Sequence, residues 1–227
     1  MRQIPTKQQM EQALAGRIGP KLKQRFADTV VAVCGLGGLG SNIAYSLARA
    51  GIGTLILIDF DQVDISNLNR QQYKACQVGM DKPQALAENL REIAPYLSVI
   101  PYSQKLTPDN LSLLAKADII CEAFDQAEEK SMLANGVLET FPEKYLVAAS
   151  GMAGLGSPNT IQTRKITSHF YLCGDQTSDA AEGIGLVAPR VMLCAAHQAL
   201  TVLRIIAQSE SADTENHLTE SKTDSPQ

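Results

Sequence analysis

Val-Val-Ala-Val-Cys-Gly-Leu-Gly-Gly-Leu-Gly at 30–40 decides the fold. Val30, Val31, Ala32 and Val33 are apolar and mostly β-branched, the composition of a buried strand. Leu39, Ile43 and Leu47 then recur at helical spacing. Between the two, Gly35, Gly37 and Gly40 stand in the Gly-x-Gly-x-x-Gly pattern of a nucleotide-binding turn. Gly35 permits the tight turn, Gly37 and Gly38 let backbone amides approach a phosphate, and Gly40 lets the helix pack on the strand. The helix start adds unpaired N–H groups and the positive end of its dipole. A glycine turn that only packs a helix on a sheet would also fit the spacing, but the strand and helix on its flanks favour a nucleotide.

Working outward, the pattern predicts a helix over 7–26, strand 30–34, helix 39–50 and strand 54–59, then an irregular polar stretch at 60–80 with one short helical piece. Helix 82–93, strand 97–102, helix 108–115, strand 118–123, helix 126–140 and strand 145–149 follow. Such alternation specifies an α/β fold, a Rossmann-like mainly parallel sheet with flanking helices. Residues 150–175 read as extra antiparallel strands, 174–185 as a flexible crossover and 186–207 as a buried helix. One ATP-binding domain is expected over 1–207, with a disordered acidic tail at 208–227 that is almost devoid of apolar residues.

The 227 residues suffice for a sizeable core. Residues 186–207 are interrupted by Pro189, Arg190, His197, Gln198 and Arg204, short of the roughly 20 apolar residues of a spanning helix. No apolar leader pattern opens the sequence, so a cytoplasmic location and no membrane partner are expected. Five scattered cysteines without a Cys-x-x-Cys pair fit a reducing compartment and no zinc site. Glu210, Asp213, Glu215, Glu220 and Asp224 against Lys222 account for the formal net charge of −4, leaving the body near neutral. That balance disfavours nucleic acid as a partner.

Asp59 closes the second strand, where a carboxylate can accept hydrogen bonds from ribose hydroxyls, with Asp61 just beyond it. This alone would also suit NAD. Arg70 on the next loop and Lys82 at the next helix start add two cations near the glycine loop, with Asn67 and Gln71 as neutral donors. Paired cations suit a triphosphate and would stabilise charge moving onto departing pyrophosphate. Either cation in isolation reads as a solvated charge.

Gly-Leu-Gly-Gly-Leu-Gly-Ser at 35–41, Asp-Phe-Asp at 59–61, Ser-Asn-Leu-Asn-Arg-Gln at 66–71, Gly-Met-Asp-Lys-Pro at 79–83 and Phe-Asp at 124–125 resemble the ThiF/MoeB family in order and spacing. Gly-Leu-Val-Ala-Pro-Arg-Val at 185–191 resembles the family's last helix, and the compact thiamine-biosynthesis members look most similar. The resemblance implies adenylation of the C-terminal glycine of a ThiS-like sulfur carrier by ATP, in a homodimer. It implies Gly38 at the phosphates, Asp59 on the ribose, and Asn67, Arg70 and Lys82 around the triphosphate and attacking carboxylate. Asp125 matches the aspartate that holds Mg²⁺, its alternative being a helix N-cap. Arg17 is the candidate for the arginine that such enzymes supply from the partner subunit, although its link to the first strand is shorter here.

Three departures qualify the match. The family's zinc-binding cysteine pairs are missing, so no zinc is expected. Ala181 stands where members that form a covalent sulfur link carry cysteine, leaving Cys173 either as a substitute or as a plain core residue. Gln126 replaces the usual Asn beside the Mg²⁺ aspartate. The alternatives are a family member adenylating another carboxylate, on a molybdopterin-type carrier or a modified tRNA base, a nicotinamide dehydrogenase, and a non-catalytic binder of nucleotide or carrier.

Overall fold

The computed structural model describes residues 3–180 and 183–220, with side chains described through 208. Helices α1 (Lys7–Ile18) and α2 (Pro20–Asp28) replace the single helix expected at 7–26. Thr6 and Gln9 form a reciprocal capping box at the start of α1. Gly19, at φ +86, ends α1, and Pro20 opens α2 at the position where its missing N–H costs nothing.

Strands β1 (Val30–Cys34) and β2 (Thr54–Asp59) flank α3 (Gly38–Ala50) as expected. Two 3₁₀ turns, Ile65–Asn67 and Ala75–Gln77, occupy the polar stretch where one was expected. Next come α4 (Lys82–Ile93) and β3 (Ser98–Ser103). The segment Pro108–Leu114 is 3₁₀ rather than α-helical, with Asn110 off helical geometry while its side chain bonds Thr107 N–H and Lys105 C=O. Then follow β4 (Ile119–Glu122), α5 (Ala127–Thr140), β5 (Tyr145–Ala149), β6 (Gln162–Lys165) and β7 (Phe170–Gly174). The last helix, α6 (Ala188–Glu220), continues beyond 207, where a disordered tail was expected; 221–227 lie outside the described residues.

The seven strands run in the order β3-β2-β1-β4-β5-β7-β6. Of the two late strands, only β6 is antiparallel, to β7, because β7 pairs parallel with β5. Alternation sets the two cores. Val31, Val33, Leu55 and Leu57 face the cluster that holds α3, α4 and α6, whereas Ala32, Cys34, Ile56 and Ile58 face the one beneath α5. The span Ala188–Gln208 of α6 is long and apolar enough to cross a membrane, yet Val191, Cys194, Ala195, Ala199 and Val202 lie in the core. The helix packs chiefly on α3.

A second fixed point joins α6 to the late strands. Arg190 on α6 donates to Gly156 and Ser157 carbonyls at 2.8 and 2.9 Å, and to Asp175 at 2.5 Å. Both ion-pair side chains are only 6% exposed. Burial would raise the Asp175 carboxyl, but hydrogen bonds from Ser178, Thr177 and Arg190 together hold it well below the usual carboxylate range. A depressed folded pKa gives stability that is present above the unfolded value near 3.9 and is lost as pH falls towards the folded value. Asp175→Asn is therefore expected to lower thermal stability at neutral pH by about 3 kcal/mol, leaving Arg190 buried and unpaired. The gap to the wild type should begin to narrow below about pH 4 and keep narrowing as the pH falls, as melting curves across pH 2–7 would measure.

β1 lies between β2 and β4, so the chain leaves the sheet's centre in opposite directions on either side. The crevice beyond the carboxyl ends at such a switch point is where open α/β sheets bind ligands.

Candidate active site

A cleft of about 630 Å³ opens at that switch point. Its walls bring together Gly35, Gly37 and Gly38 after β1, Asp59 and Asp61 at the end of β2, and Asn67, Arg70 and Gln71 from the polar loop. Lys82 at the start of α4 and Asp125 after β4 complete them. Residues remote in sequence thus meet at one carboxyl edge. Gly40 lies outside the lining and does the packing expected of it, since a Cβ there would sit 1.8 Å from Gly35 O. Arg17, on α1, is not among the lining residues, so the chain does not bring it to its own cleft.

Gly37 caps α3 with no side-chain hydrogen bond, and the N–H groups of Gly37, Gly38 and Leu39 have no partner among the described residues. These free donors at a helix start form an anion seat. The stem of Arg70 lies over it, with Cγ 3.4 Å from where a Gly38 Cβ would be. Arg70 Nη1 is tied to Ser66 O and Asn69 Oδ1, yet Nε is buried without a partner, as is Oε1 of neighbouring Gln71. The buried Arg70 Nε–H at a donor-rich seat is what an anionic ligand would satisfy, whereas Gln71 Oε1 is an acceptor and calls for a donor such as a hydroxyl.

Amides hold the seat in place. Asn42 on α3 donates to Gly38 O at 2.7 Å and Arg70 O at 3.1 Å, and accepts from Gln72 Nε2 at 2.8 Å. Ser41 Oγ donates to Gly37 O and accepts from Gln72 N–H. Asn89 on α4 continues the network to Gln72 O and Gln77. Every link is buried or part-buried, so the network ties the glycine loop to the Arg70 loop.

Asp59 is 7% exposed and accepts Leu36 N–H at 2.6 Å and Asp61 N–H at 2.9 Å. Burial raises its carboxyl above the usual range, opposed by Lys82 and by the two N–H donors. Each carboxylate oxygen keeps a further lone pair for a ribose hydroxyl. Lys82 Nζ pairs with Asp61 Oδ2 at 2.7 Å, its side chain 7% exposed against 49% for Asp61. Asp61 is thus first a partner of Lys82. Asn67 Oδ1 takes Asp64 N–H, which fixes the 3₁₀ turn and leaves the Asn67 side chain at the cleft wall.

Asp125 is exposed in the cleft and has no hydrogen-bond or ion-pair partner among the described residues. Gln126, not Asp125, occupies the N-cap of α5, and its side chain makes no cap bond. The capping alternative for Asp125 is thereby removed.

Comparison with known proteins then fixes the family. The ThiF family model matches residues 10–225. The chain belongs to the ThiF family. Escherichia coli tRNA threonylcarbamoyladenosine dehydratase is 36% identical over 148 residues, or 63% of this chain and 54% of that protein. The chain thus spans about half the length of that relative. Escherichia coli sulfur carrier protein ThiS adenylyltransferase is 29% identical over 208 residues, covering 88% and 81%. A crystal structure of the Escherichia coli dehydratase, TcdA, superposes with a TM-score of 0.80 at 25% identity, over 92% of this chain and 100% of that one.

Within this ThiF-family fold, the cysteine expectations divide. Cys173 is fully buried in β7, its thiol pushed up by burial despite hydrogen bonding to Thr163 and Thr201. Such a thiol is a core residue and a poor thiolate nucleophile. Ala181, the expected cysteine position, lies outside the described residues.

Sequence reasoning missed one charged pair at this site. Glu122, the last residue of β4, is 1% exposed and bonded through both oxygens to Lys130 on α5. Burial raises the Glu122 carboxyl, and Lys130 opposes the rise. A glutamate ending the apolar run Ile119–Ile120–Cys121 was the available signal, since a buried acid demands a partner.

Proposed function

We propose that the protein adenylates the C-terminal glycine carboxylate of a ThiS-like sulfur carrier with MgATP, as in thiamine thiazole biosynthesis, working as a cytoplasmic homodimer. One observation carries the reading: Arg70, with an unpartnered buried Nε, and Lys82 meet the free N–H groups of Gly37–Leu39 opposite a free Asp125 carboxylate. A nicotinamide cofactor would leave this convergence without a purpose.

The donors of the glycine loop seat the phosphates, Asp59 holds the ribose, and Arg70 and Lys82 stabilise charge that builds on the leaving group. An oxygen of the carrier carboxylate attacks the α-phosphorus, the bond to the bridging oxygen breaks, and pyrophosphate leaves with the electron pair. The carboxylate is already ionised at neutral pH, so no general base is needed and positioning supplies most of the rate. Asp125 fits a hard cation bound through one carboxylate and substrate phosphates. When bound, Mg²⁺ would neutralise phosphate charge. A second copy is the proposed source of Arg17.

Support for the carrier comes from the 81% of ThiS adenylyltransferase that the match covers and from the near-neutral charge of 1–207. A carboxylate on a modified tRNA base is the second reading, favoured by the 36% identity to the dehydratase. ATP–pyrophosphate exchange separates them. Exchange is expected only with a small carrier ending in Gly-Gly, and to fall by about 10²-fold or more in Arg70→Ala. Exchange driven by tRNA would favour the second reading; none with either would leave a non-catalytic binder.

A further inference from the structure

Lys130 lines the cleft beside Asp125, yet it has nothing left to offer a ligand. Its ammonium has three donors. They go to Glu122 Oε1 at 2.9 Å, Glu122 Oε2 at 3.0 Å and Phe124 O at 2.9 Å. Direct contact with phosphate or carrier would require breaking one of these bonds.

Glu122 is spent in the same way. Its Oε1 also accepts Phe124 N–H at 2.8 Å, and Oε2 reaches Ala149 N–H, more weakly, at 3.5 Å. Phe124 therefore has its N–H held by the carboxylate and its C=O held by the ammonium of a single ion pair. The residue after this doubly held one is Asp125. No side-chain cap orients the turn from its other side, because Gln126 makes none. The Ala149 contact extends the hold to the end of β5, next to Ser150 and Gly151 on the cleft wall.

Stability alone is a weak reason for such a pair, since well-packed apolar residues of similar volume serve a buried site as well or better. What an apolar pair could not do is grip the N–H and the C=O of one residue, and with them the two peptide groups that flank it. We propose that Glu122 and Lys130 are positioning residues that fix the β4–α5 turn and so present the Asp125 carboxylate to the cation carried by the nucleotide. The proposal rests on the adenylation reading above.

The test uses Lys130→Met, which removes all three donors, Lys130→Arg, which keeps the charge, and Glu122→Gln/Lys130→Met, which leaves no unpaired buried charge. ATP affinity is measured by calorimetry with Mg²⁺ and with EDTA, and pyrophosphate exchange on the same samples. Loss of a partner that orients a metal ligand typically weakens metal affinity by about 10–100-fold. The double variant should keep its EDTA affinity within about twofold, lose a Mg²⁺-dependent gain of that size and lose exchange in parallel. Lys130→Arg should recover part of both. If Lys130→Met fails to fold, the double variant decides. A double variant with the full Mg²⁺ gain and wild-type exchange overturns the proposal and leaves adenylation standing. Equal loss of ATP affinity with and without Mg²⁺ overturns it too, because that marks general collapse of the cleft. Absence of exchange in the wild type with any carboxylate substrate instead sinks the adenylation reading.

Discussion

Lys82→Met is expected to lower ATP–pyrophosphate exchange by about 10²–10³-fold, the cost of removing one preorganised charge from a developing anion. Lys82 is well placed for that role because α4 delivers its side chain, 7% exposed, into the cleft with Asp61 at 2.7 Å. The substitution has a second consequence with a definite sign. Burial already raises the Asp59 carboxyl, and Lys82 is the largest influence opposing the rise. Without it the Asp59 pKa moves further up. The ionised form is the one that accepts Leu36 N–H, Asp61 N–H and ribose hydroxyls together, so ATP affinity should begin to fall at a higher pH than in the wild type. Titrating ATP binding from pH 5 to 8 for wild type, Lys82→Met and Lys82→Arg measures both effects. Lys82→Arg keeps the charge and should retain the wild-type pH limb even if exchange drops, since its fork is shaped differently from a compact ammonium. Exchange in Lys82→Met within about threefold of wild type would reduce Lys82 to a structural partner of Asp61.

The residues of that argument were legible in the sequence because each sits at the end of a strongly patterned element. Val30–Cys34 and Thr54–Asp59 are short apolar runs that end at Gly35 and Asp59, and a parallel sheet must place those ends on one edge. Asp125 follows a third such run. Propensity failed where local chemistry overrode periodicity. Leu111 and Leu114 fit an α-helix as readily as a 3₁₀ turn, and the Asn110 side-chain bonds decide between them. Gly19–Pro20 was a break legible in principle, yet helical residues on both sides concealed it. The partnerships Lys130–Glu122 and Arg190–Asp175 span eight and fifteen residues across a strand end and a crossover. Each pair joins two different elements, so no single helical or strand period reports it and only the closed fold reveals them.

The glycine loop gives the other large effect, and its two halves should fail differently. A Cβ on Gly40 would stand 1.8 Å from Gly35 O and 3.2 Å from Val33 Cγ1, contacts that only movement of α3 off β1 could relieve. Gly40→Ala is therefore expected to destabilise the fold by about 3 kcal/mol, the upper range for forced overpacking. For a chain of this size that lowers Tm by roughly 6–12 °C. At Gly37 the nearest atom to an added Cβ is Gln71 Nε2 at 3.7 Å, so there is room for a methyl, although φ −73 and ψ −144 lie outside the regions that side-chain-bearing residues favour. Gly37→Ala should accordingly cost about 1 kcal/mol of backbone strain, a Tm drop of roughly 2–4 °C and well short of that for Gly40→Ala. Its methyl would nevertheless occupy the seat formed by the free N–H groups of Gly37–Leu39. Losing two charge-assisted hydrogen bonds at about 1.5 kcal/mol each predicts ATP binding about 100-fold weaker. Thermal melts and calorimetry on the two variants separate packing from ligand binding. If Gly37→Ala binds ATP like the wild type, the loop packs a helix on a sheet and holds no phosphate, and the chemistry built on it fails.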